Sequence, residues 1–461
     1  MSNLSDLLPA GAGGKQVNFV ASGTLPSGQT VALKTNGQVE AVSGANPSVG
    51  TPVAFAAANT NTPVSAYDSN SNKVVVAYQN AGSSGYGTAV VGTVSGTSIS
   101  FGTPATFSAS GYINDPAITF DSTNNKVVIV YRNQGNSNYG TASVGTVSGT
   151  SLSFGSAVVF KSATTYTYSL CITFDSNAGK VVIAYQDSTN SNYGTAVVGT
   201  VSGTSISFGT PAVFNTTSIN YGSPVFDSTN NKVVISYGNN LGYAKSIVGT
   251  VSGTSISFGT AVVLNTANST NISSVYDTVN NKIVTTYIDS GNSSYATSIV
   301  GTVSGTSISF GSAVVAYSSN TTTPTSAYDI SAGRVVVCFH DASASNSQAV
   351  SGTVSGTSIS FGSPVVLVSA SAYPLAATYD EDSQQIIVSY KDLSNNYGYS
   401  LVFKDGTTNN TSFLGITDAD VASGASGSVT IKGGISTIKG GTYTITVVNS
   451  GSGNKYAING V

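Results

Sequence analysis

The 461-residue sequence is poor in charged side chains, and this limits the partners that it can attract. Only 8% of its residues are charged, against roughly 25% in an average soluble domain. Its 16 basic residues form no cluster, and the formal net charge is -3. Nucleic acids and anionic membrane surfaces require dense positive charge, so we expect no nucleic-acid partner. The surface must be polar through Ser, Thr, Asn and Gly instead.

Long apolar runs are also missing. No stretch of 18 apolar residues occurs, and the N-terminal MSNLSDLLPAGAGG lacks a basic segment followed by an apolar core. The sequence therefore predicts no membrane insertion and no secretory signal. The two cysteines, Cys171 and Cys338, lie in different repeats of the pattern that fills the chain. We expect both to be small core residues, because a disulfide needs its two Cα atoms within about 7 Å.

Side chains suited to catalysis are scarce. The chain has one histidine, His340, two glutamates, Glu40 and Glu381, two arginines, Arg132 and Arg334, and no tryptophan. A Ser-His-Asp triad or a Cys/His zinc site cannot be assembled from this set. A sialidase-type propeller needs clustered cationic residues, and no pair of aspartates stands out as a glycosidase pair. We expect no enzymatic activity, no catalytic residue, no metal and no cofactor.

What the sequence does contain is one pattern repeated seven times. An Asp closes a short apolar run, four residues follow, and a Lys, Arg or Gln then opens a β-branched run that ends in an aromatic residue. A period near fifty with several strands in each unit predicts a β-propeller. Each Asp is expected to bond the backbone of its own turn rather than a cation. The aspartates, 50 to 54 residues apart, are Asp68, Asp121, Asp175, Asp227, Asp277, Asp329 and Asp380.

The remainder of each repeat predicts a four-stranded blade. The apolar run before the Asp is strand a, the run after the turn is strand b, and a second motif, GTVSGTSISFG, supplies the end of strand c and the start of strand d. Its Ser-Gly, such as Ser95-Gly96, is typical of a two-residue hairpin turn. Six copies occur, starting at Gly92, Gly145 (with Leu152 in place of Ile), Gly199, Gly249, Gly301 and Gly352.

The seventh d strand is found at the other end of the chain. Residues 46–55, NPSVGTPVAF, align with the d segments but follow no a, b or c strand. The last a-b-c set is followed by no TSISF. Pairing the two fragments would satisfy two open sheet edges. The sequence therefore predicts an all-β chain with a seven-bladed β-propeller of four-stranded blades over residues 44–408, its seventh blade closed by residues 46–55.

The flanking segments are short β-strands with glycine turns, and together they carry a resemblance. Residues 19–42 and 412–458 resemble the small β-domain of phage head-decoration and head-stabilising proteins, and the SGTSISFG repeats look like virion proteins of marine tailed phages. The matching residues are Val20, Ala21, Ser22, Gly23, Gly28, Val31, Leu33, Gly37, Val39, Phe413, Gly415, Ile416, Asp418, Gly424, Gly427, Val429 and Gly433.

The resemblance implies a small split β-domain into which the propeller is inserted. Residues 1–43 would form an N-terminal arm and the first half of this anchor domain, and residues 409–461 its second half. Such an insertion is tolerated because the ends of the inserted domain lie close together. The resemblance also implies a structural or decoration protein on the virion surface, with other capsid or tail proteins as partners and a homo-oligomer through the small domain. A tail-fibre receptor-binding protein and a cellular adhesin remain as alternatives.

Variable loops predict where a propeller of this kind would bind a ligand. From the end of strand d to the next Asp the chain counts 13 residues in five repeats, but 14 from Phe107 to Asp121 and 15 from Phe160 to Asp175. Loops that vary on a constant scaffold commonly carry binding. We predict a shallow saccharide site for host-surface glycans, formed by Tyr112, Arg132, Asn133, Tyr166, Tyr168 and Gln186.

Other tyrosines recur at one position of the repeat, at the start of strand c. A residue that returns in blade after blade indicates packing more than binding. The set is Tyr86, Tyr139, Tyr193, Tyr243, Tyr295 and Tyr397.

Overall fold

The chain is all-β. The computed structural model describes residues 16–20, 30–33, 39–41, 47–164, 170–239, 242–406, 413–417, 426–430, 443–449 and 454–460. Two short 3₁₀ turns, Ala81–Ser83 and Gln134–Asn136, are the helices of this described part, and no helix there is long and apolar enough to cross a membrane. Contacts divide the chain into two units, one of Pro47–Asp405 and one of Met1–Asn46 with Gly406–Val461.

One antiparallel arrangement recurs throughout Pro47–Asp405. In each repeat, strand a pairs with b, b pairs with c, and c pairs with two short strands that we call d1 and d2. Strand Ala212–Asp227 serves as d2 of the third repeat and a of the fourth, which joins these two repeats into one nine-stranded sheet. In the last repeat, c pairs with d1 and d2 from the start of the unit, with Phe403 opposite Val49 and Ser400 opposite Val53.

The strands have the following bounds. The other a strands are Thr60–Asp68, Ile113–Asp121, Cys171–Asp175, Ser269–Asp277, Thr321–Asp329 and Ala372–Asp380. The b strands are Lys73–Asn80, Lys126–Asn133, Lys180–Asp187, Lys232–Asn239, Lys282–Asp289, Arg334–Asp341 and Gln385–Asp392. The c strands are Tyr86–Ser95, Tyr139–Ser148, Tyr193–Ser202, Ala244–Ser252, Tyr295–Ser304, Asn346–Ser355 and Gly398–Lys404.

The d strands complete the repeats. The d1 strands are Ser48–Val49, Ser98–Phe101, Ser151–Phe154, Ser205–Phe208, Ser255–Phe258, Ser307–Phe310 and Ser358–Phe361. The other d2 strands are Val53–Ala56, Ala105–Ser108, Val158–Thr164, Val262–Asn265, Val314–Tyr317 and Val365–Val368.

A break divides the predicted d strand of each repeat into d1 and d2, which both pair with the same strand c. Phe101 pairs with Gly92, but Ala105 pairs with Ala89, so d carries one more residue than c between the two pairs. An extra residue of this kind bends the strand and interrupts pairing. Gly102 stands at the bend, where a Cβ would lie 2.0 Å from the carbonyl oxygen of Thr150 in the next repeat. The same close approach to the next repeat occurs at Gly155, Gly209, Gly259 and Gly311, but not at Gly362.

The repeated aspartates fold the a-b turn. Asp68 Oδ1 accepts hydrogen bonds from the backbone N–H groups of Asn70 and Ser71, at 3.0 and 3.1 Å. The aspartates of the other repeats accept backbone bonds from the same turn positions. The last turn residue is left-handed, as at Asn72 with φ 52°, and Asn or Gly tolerates this conformation best. The expectation that each Asp bonds its own turn is confirmed.

Aromatic residues pack between neighbouring repeats. Phe107 of one d2 strand lies 5.2 Å from Tyr131 of the following b strand and 5.6 Å from Phe154 of the following d1 strand, measured between ring centroids. Equivalent contacts join Phe55, Phe160 and Phe214 to the repeats that follow them. The central residues of the b strands are fully buried between repeats.

The glycine at the start of most c strands makes room for these phenylalanines. A Cβ on Gly140 would lie 2.6 Å from Phe160 Cζ. Glycine stands at this position in the four repeats with Phe on d2, whereas the other three repeats pair a larger residue with a smaller partner. Those pairs are Ala244 with Leu264, Ala296 with Ala316 and Ser347 with Leu367.

This relation predicts a compensating pair of substitutions. Gly140→Ala should destabilise the protein by about 1–3 kcal/mol, the usual cost of forcing extra volume into a packed core. Adding Phe160→Leu, which recreates the Ala244 and Leu264 combination, should recover part of that loss. Chemical unfolding of the two single variants and the double variant measures the coupling. Strictly additive effects would show that these two residues do not compete for the same space.

The a strands contact one another in succession. Each a strand contacts those of the preceding and following repeats, and Ala372–Asp380 contacts Thr60–Asp68. At this last junction Ser65 Oγ and Thr378 Oγ1 are 2.6 Å apart, and Thr378 Oγ1 donates to the Ser65 carbonyl at 2.9 Å. Cys171 and Cys338 are buried and form no disulfide, as predicted.

The second unit contains strands from both ends of the chain. Gln16–Val20, Ser426–Thr430, Phe413–Thr417, Thr30–Leu33 and Val39–Ala41 form one antiparallel sheet in this order. Gln16 lies opposite Thr430, and Thr30 lies opposite Ile416. Two further strands, Tyr443–Asn449 and Asn454–Gly460, pair with each other.

Candidate functional site

The end of the repeats opposite the a-b turns carries the connections from d2 to a and from b to c, and we call it the loop face. Its backbone follows one scheme of hydrogen bonds. Tyr112 accepts from Gln134 N–H of its own repeat at 2.9 Å, and Ile113 N–H donates to the Gly85 carbonyl of the preceding repeat at 3.0 Å. Asn59 and Thr60 make the same two bonds in the first repeat. The d2-a connections at Asn268–Ser269 and Asn320–Thr321 are likewise held between two b-c loops.

Exposed tyrosines concentrate on this face. Among the described residues, every tyrosine that ranks as exposed lies at the loop-face end of its repeat, and none lies at the a-b turns. Their exposed fractions are 47% for Tyr112, 38% for Tyr243, 39% for Tyr373 and 36% for Tyr397. The large apolar side chains exposed at the a-b turns are aliphatic, Val279 and Ile330.

Tyr112 is exposed and also rigidly placed. Its backbone carbonyl is bonded to Gln134, and its ring lies directly over Gly85, where a Cβ would be 2.2 Å from Tyr112 Cδ1. Gly85 has φ +70°, a conformation that glycine adopts without strain. A rigid aromatic ring offers a large contact area at little cost in conformational entropy.

A second aromatic group lies in the last two repeats. The rings of His340 and Tyr373 have centroids 5.2 Å apart. Leu393, which is 37% exposed, donates its N–H to the Ser371 carbonyl two residues before Tyr373. Tyr397 accepts from Asp392 N–H at 2.9 Å. The b-c loop of the seventh repeat therefore places Leu393 and Tyr397 on the same side as Tyr373.

The structure separates the six residues that the sequence proposed as a saccharide site. Tyr112 is exposed. Arg132 Nε lies 3.4 Å from Asp115 Oδ2, and its Nη1 donates to Asn138 Oδ1 at 3.2 Å. Arg132 is thus engaged in an ion pair of its own repeat. Tyr166 and Tyr168 lie outside the described residues.

The two amides of that prediction are bonded inside the protein. Asn133 and Gln186 are each 6% exposed. Asn133 Oδ1 accepts from Ser110 Oγ at 2.9 Å, and Gln186 Nε2 donates to Ser218 Oγ and to the Ile219 carbonyl at 3.2 Å. The Asn133 and Gln186 side chains hold neighbouring loop residues by hydrogen bonds and are buried from solvent.

Three exposed tyrosines were missed by the sequence analysis. Tyr243 and Tyr397 belong to the recurring set interpreted as packing, and Tyr86, Tyr139, Tyr193 and Tyr295 of that set are indeed half-buried. The b-c loop has five residues before each half-buried tyrosine, but three before Tyr243 and four before Tyr397. Tyr373 gave a signal that could have been used, because the equivalent residues of other repeats are Asn61, Asn114, Asn220, Thr270 and Thr322.

Arg132 and Lys161 of the loop face each lie beside an acidic side chain of the protein. Lys161 Nζ bridges to Asp187 Oδ2 of the next repeat at 2.7 Å. Burial alone would raise the pKa of Asp187, but hydrogen bonds from Lys161 and Thr189 hold that pKa below its ordinary value. Burial likewise opposes ionisation of Asp341, and bonds from Tyr317 and Ser319 still lower the pKa of Asp341. The carboxylates of Asp187 and Asp341 are therefore engaged inside the protein.

His340 predicts a dependence of stability on pH. The side chain is 5% exposed, and burial lowers the pKa of His340 below its usual value although the neighbouring Asp341 opposes this shift. As pH falls through the unfolded value of about 6.5, the unfolded chain takes up the proton first, so stability is lost on acidification. Unfolding between pH 7.5 and pH 5 should show this loss.

The matched variant is His340→Gln, because Gln79 and Gln186 occupy the same position in other repeats. Carboxylates titrate mainly below about pH 5, so the pH 5 to 7.5 window isolates the histidine. The variant should lose less stability than the parent protein over this window. Equal losses in both proteins would remove His340 as the cause.

The chain is similar in fold to a solved lectin structure. No family model matches the chain, and no curated protein matches it. The crystal structure of BP39L lectin from Burkholderia pseudomallei aligns with a TM-score of 0.60 at 9% identity, covering 77% of this chain and 98% of that one. AofleA from Arthrobotrys oligospora aligns with a TM-score of 0.44 at 10% identity, covering 88% of this chain and 97% of that one. Identities this low concern the fold alone.

Proposed function

We propose that residues 47–405 form a closed seven-bladed β-propeller that binds glycans through its loop face. Closure is supported by the contact between the last and first a strands and by the pairing of Gly398–Lys404 with Ser48–Val49 and Val53–Ala56. Each repeat then corresponds to one blade, and blade 7 combines strands from both ends of the unit. Closure leaves no blade with an unpaired c strand.

The observation that carries glycan binding is the set of exposed tyrosines on one face. A tyrosine ring presents an apolar surface and a polar hydroxyl group, and this suits the C–H faces and hydroxyl groups of a sugar. Since Arg132 and Lys161 are already paired with aspartates, a neutral ligand fits this face better than a strongly anionic one. The structural neighbour BP39L is a lectin, which agrees with this proposal.

Several tyrosines on one face also favour multivalent binding. Tyr112 lies between blades 1 and 2, Tyr243 in blade 4, and Tyr373 and Tyr397 in blade 7. Weak sites on one rigid scaffold can engage a clustered glycan together, and the gain in avidity can reach 10²–10⁴ without any new contact. We therefore propose binding to dense surface glycans, without catalysis.

The display of this propeller on a virion is a separate part of the proposal. It is supported by the sequence resemblance of the flanking segments to phage head-decoration proteins. The second unit would be the anchor, with the propeller inserted between its two halves, and the full chain would be a virion surface protein. Immunogold labelling of purified phage particles tests this location, and labelling confined to cell debris would contradict it.

A glycan array with the full chain tests the binding proposal. We expect selective binding to a subset of neutral glycans, with a stronger signal at high glycan density. Binding should persist in about 0.5 M salt, where electrostatic attraction is screened over less than 10 Å. A protein that binds no glycan, or binds only anionic glycans and loses them in salt, would contradict the proposal.

A further inference from the structure

A cavity lies at the centre of the ring, at the loop-face end of the a strands. Its volume is about 260 Å³, and all seven repeats contribute to its lining. It is separate from the exposed tyrosines of the proposed glycan face, none of which lines it. Typical pockets for small ligands occupy roughly 300–1,000 Å³, so this cavity suits one ring-sized molecule and excludes a chain.

The rim of the cavity is built from one position of the repeat, the third residue of a full-length a strand. The rim residues are Thr62, Asp115, Tyr221, Asn271 and Thr323. All five have a left-handed backbone, with φ between 45° and 52°. The register of strand a shifts at the same place in each of these repeats.

Left-handed backbone at non-glycine residues is costly. The strain is most severe for a β-branched residue such as Thr62 or Thr323. Glycine would relieve it, yet none of the five is glycine. Side chains are thus kept at a strained position in five separate strands, and all five line the same cavity.

The lining is chemically divided into two layers. The rim supplies hydroxyl, amide and carboxylate groups and one aromatic ring. The next residue along the strands supplies apolar surface, from Pro116, Leu170, Ile272, Pro324 and Leu375. A polar ring above an apolar layer matches a molecule with hydroxyl groups at its edge and C–H bonds on its faces.

The net charge of the cavity points to a neutral ligand. Asp115 is the charged residue of the lining, and Arg132 Nε lies 3.4 Å from its Oδ2. The Arg132 guanidinium therefore balances the charge of this carboxylate. In the described part of the chain no cluster of three or more His, Cys, Asp or Glu residues could hold a metal ion.

We propose that this central cavity binds one neutral polyhydroxylated ring, a free monosaccharide or the terminal sugar of a glycan. The rim hydroxyl and amide groups and Asp115 bond the sugar hydroxyls, and the apolar layer packs against a ring face. This site is distinct from the tyrosines of the loop face and does not require them. The cavity would be one further binding site, on the axis of the propeller, besides the tyrosines of the loop face.

The repeats themselves supply the variants for the test. Tyrosine and asparagine both occur naturally at the rim, as Tyr221 and Asn271. Thr62→Tyr should fill the cavity, whereas Thr62→Asn keeps a small polar group at a position that tolerates left-handed backbone. Asn271→Tyr closes the cavity from another repeat, should Thr62→Tyr fail to fold. Thermal melting identifies the folded variants.

Saturation-transfer NMR and titration calorimetry would measure binding of glucose, galactose, mannose and N-acetylglucosamine to the full chain. We expect at least one sugar to bind the parent protein and Thr62→Asn, and the folded tyrosine variant to bind it about tenfold more weakly or worse, a change of 1.4 kcal/mol or more. Binding by none of the four sugars, or equal binding by the filled variant, would overturn the proposal.

The loop-face variant Tyr112→Asn separates the two proposals. It should keep monosaccharide binding in the cavity even where binding to arrayed glycans is reduced. If Tyr112→Asn loses monosaccharide binding and Thr62→Tyr keeps it, the sugar binds at the loop face and the cavity proposal is wrong. If the parent protein and every variant fail to bind the glycan array, the loop-face proposal is contradicted. The cavity proposal then stands or falls on monosaccharide binding measured by NMR.

Discussion

Deletion of residues 46–55 is expected to turn a cooperatively melting protein into an aggregating one. The deletion removes the partners of Phe403 and Lys404 in d1 and of Tyr399 and Ser400 in d2. It also removes Phe55, which is 4% exposed and packs 5.1 Å from Tyr78. Truncating one buried phenylalanine costs about 3–5 kcal/mol, a large part of a typical stability of about 5–15 kcal/mol.

The open c strand would then offer unpaired backbone groups to other chains, and exposed edges of this kind promote aggregation. Size-exclusion chromatography with light scattering and thermal melting measure the outcome. Deleting residues 1–10, an equal length that precedes the first described strand, is the control and should leave the melting of the propeller unchanged. A monomeric 46–55 deletion with unchanged melting would refute ring closure by this segment.

Replacing three loop-face tyrosines together should abolish glycan binding. The variant Tyr112→Asn, Tyr373→Asn, Tyr397→Asn uses residues found at the same positions of other repeats, Asn59, Asn61 and Asn346. Because asparagine already fits these positions, folding should be preserved. If each ring contributes about 1.4 kcal/mol, each loss is about tenfold in affinity, and the losses multiply in a multivalent complex.

The signal on the glycan array should fall below detection in the triple variant and by about tenfold in single variants. Val279→Ser is the matched control, because Val279 is 54% exposed at an a-b turn, at the opposite end of the repeats. This control should bind as the parent protein does. Undiminished binding by the folded triple variant would place the glycan site elsewhere.

The repeat architecture could be predicted from the sequence because each motif forms a turn or a strand through contacts within a few residues. Asp68 and its six equivalents bond their own turns, and Gly96 takes φ +59° at the c-d hairpin. These effects act over a few residues, so a repeated motif reports them directly. The all-β class and the repeated antiparallel sheets follow and are confirmed.

Features that depend on contacts between repeats could not be predicted from the sequence. The break of strand d depends on the approach of Gly102 to Thr150, 48 positions further along the chain. The burial of Asn133 and Gln186 depends on bonds to residues of neighbouring loops and strands, such as Ser110 and Ile219. Exposure of Tyr243 and Tyr397 depends on the loops around them. A single sequence shows which residues vary, but their burial is decided by partners distant in the chain.

Hydrogen exchange of the full chain, with and without the strongest glycan from the array, tests most directly which face binds. We predict added protection in peptides that cover the loop face, at residues 109–115, 371–375 and 392–398, and no change in peptides that cover the a-b turns, such as residues 277–282. Protection confined to the a-b turns or to residues 413–430 would contradict glycan binding by the loop face.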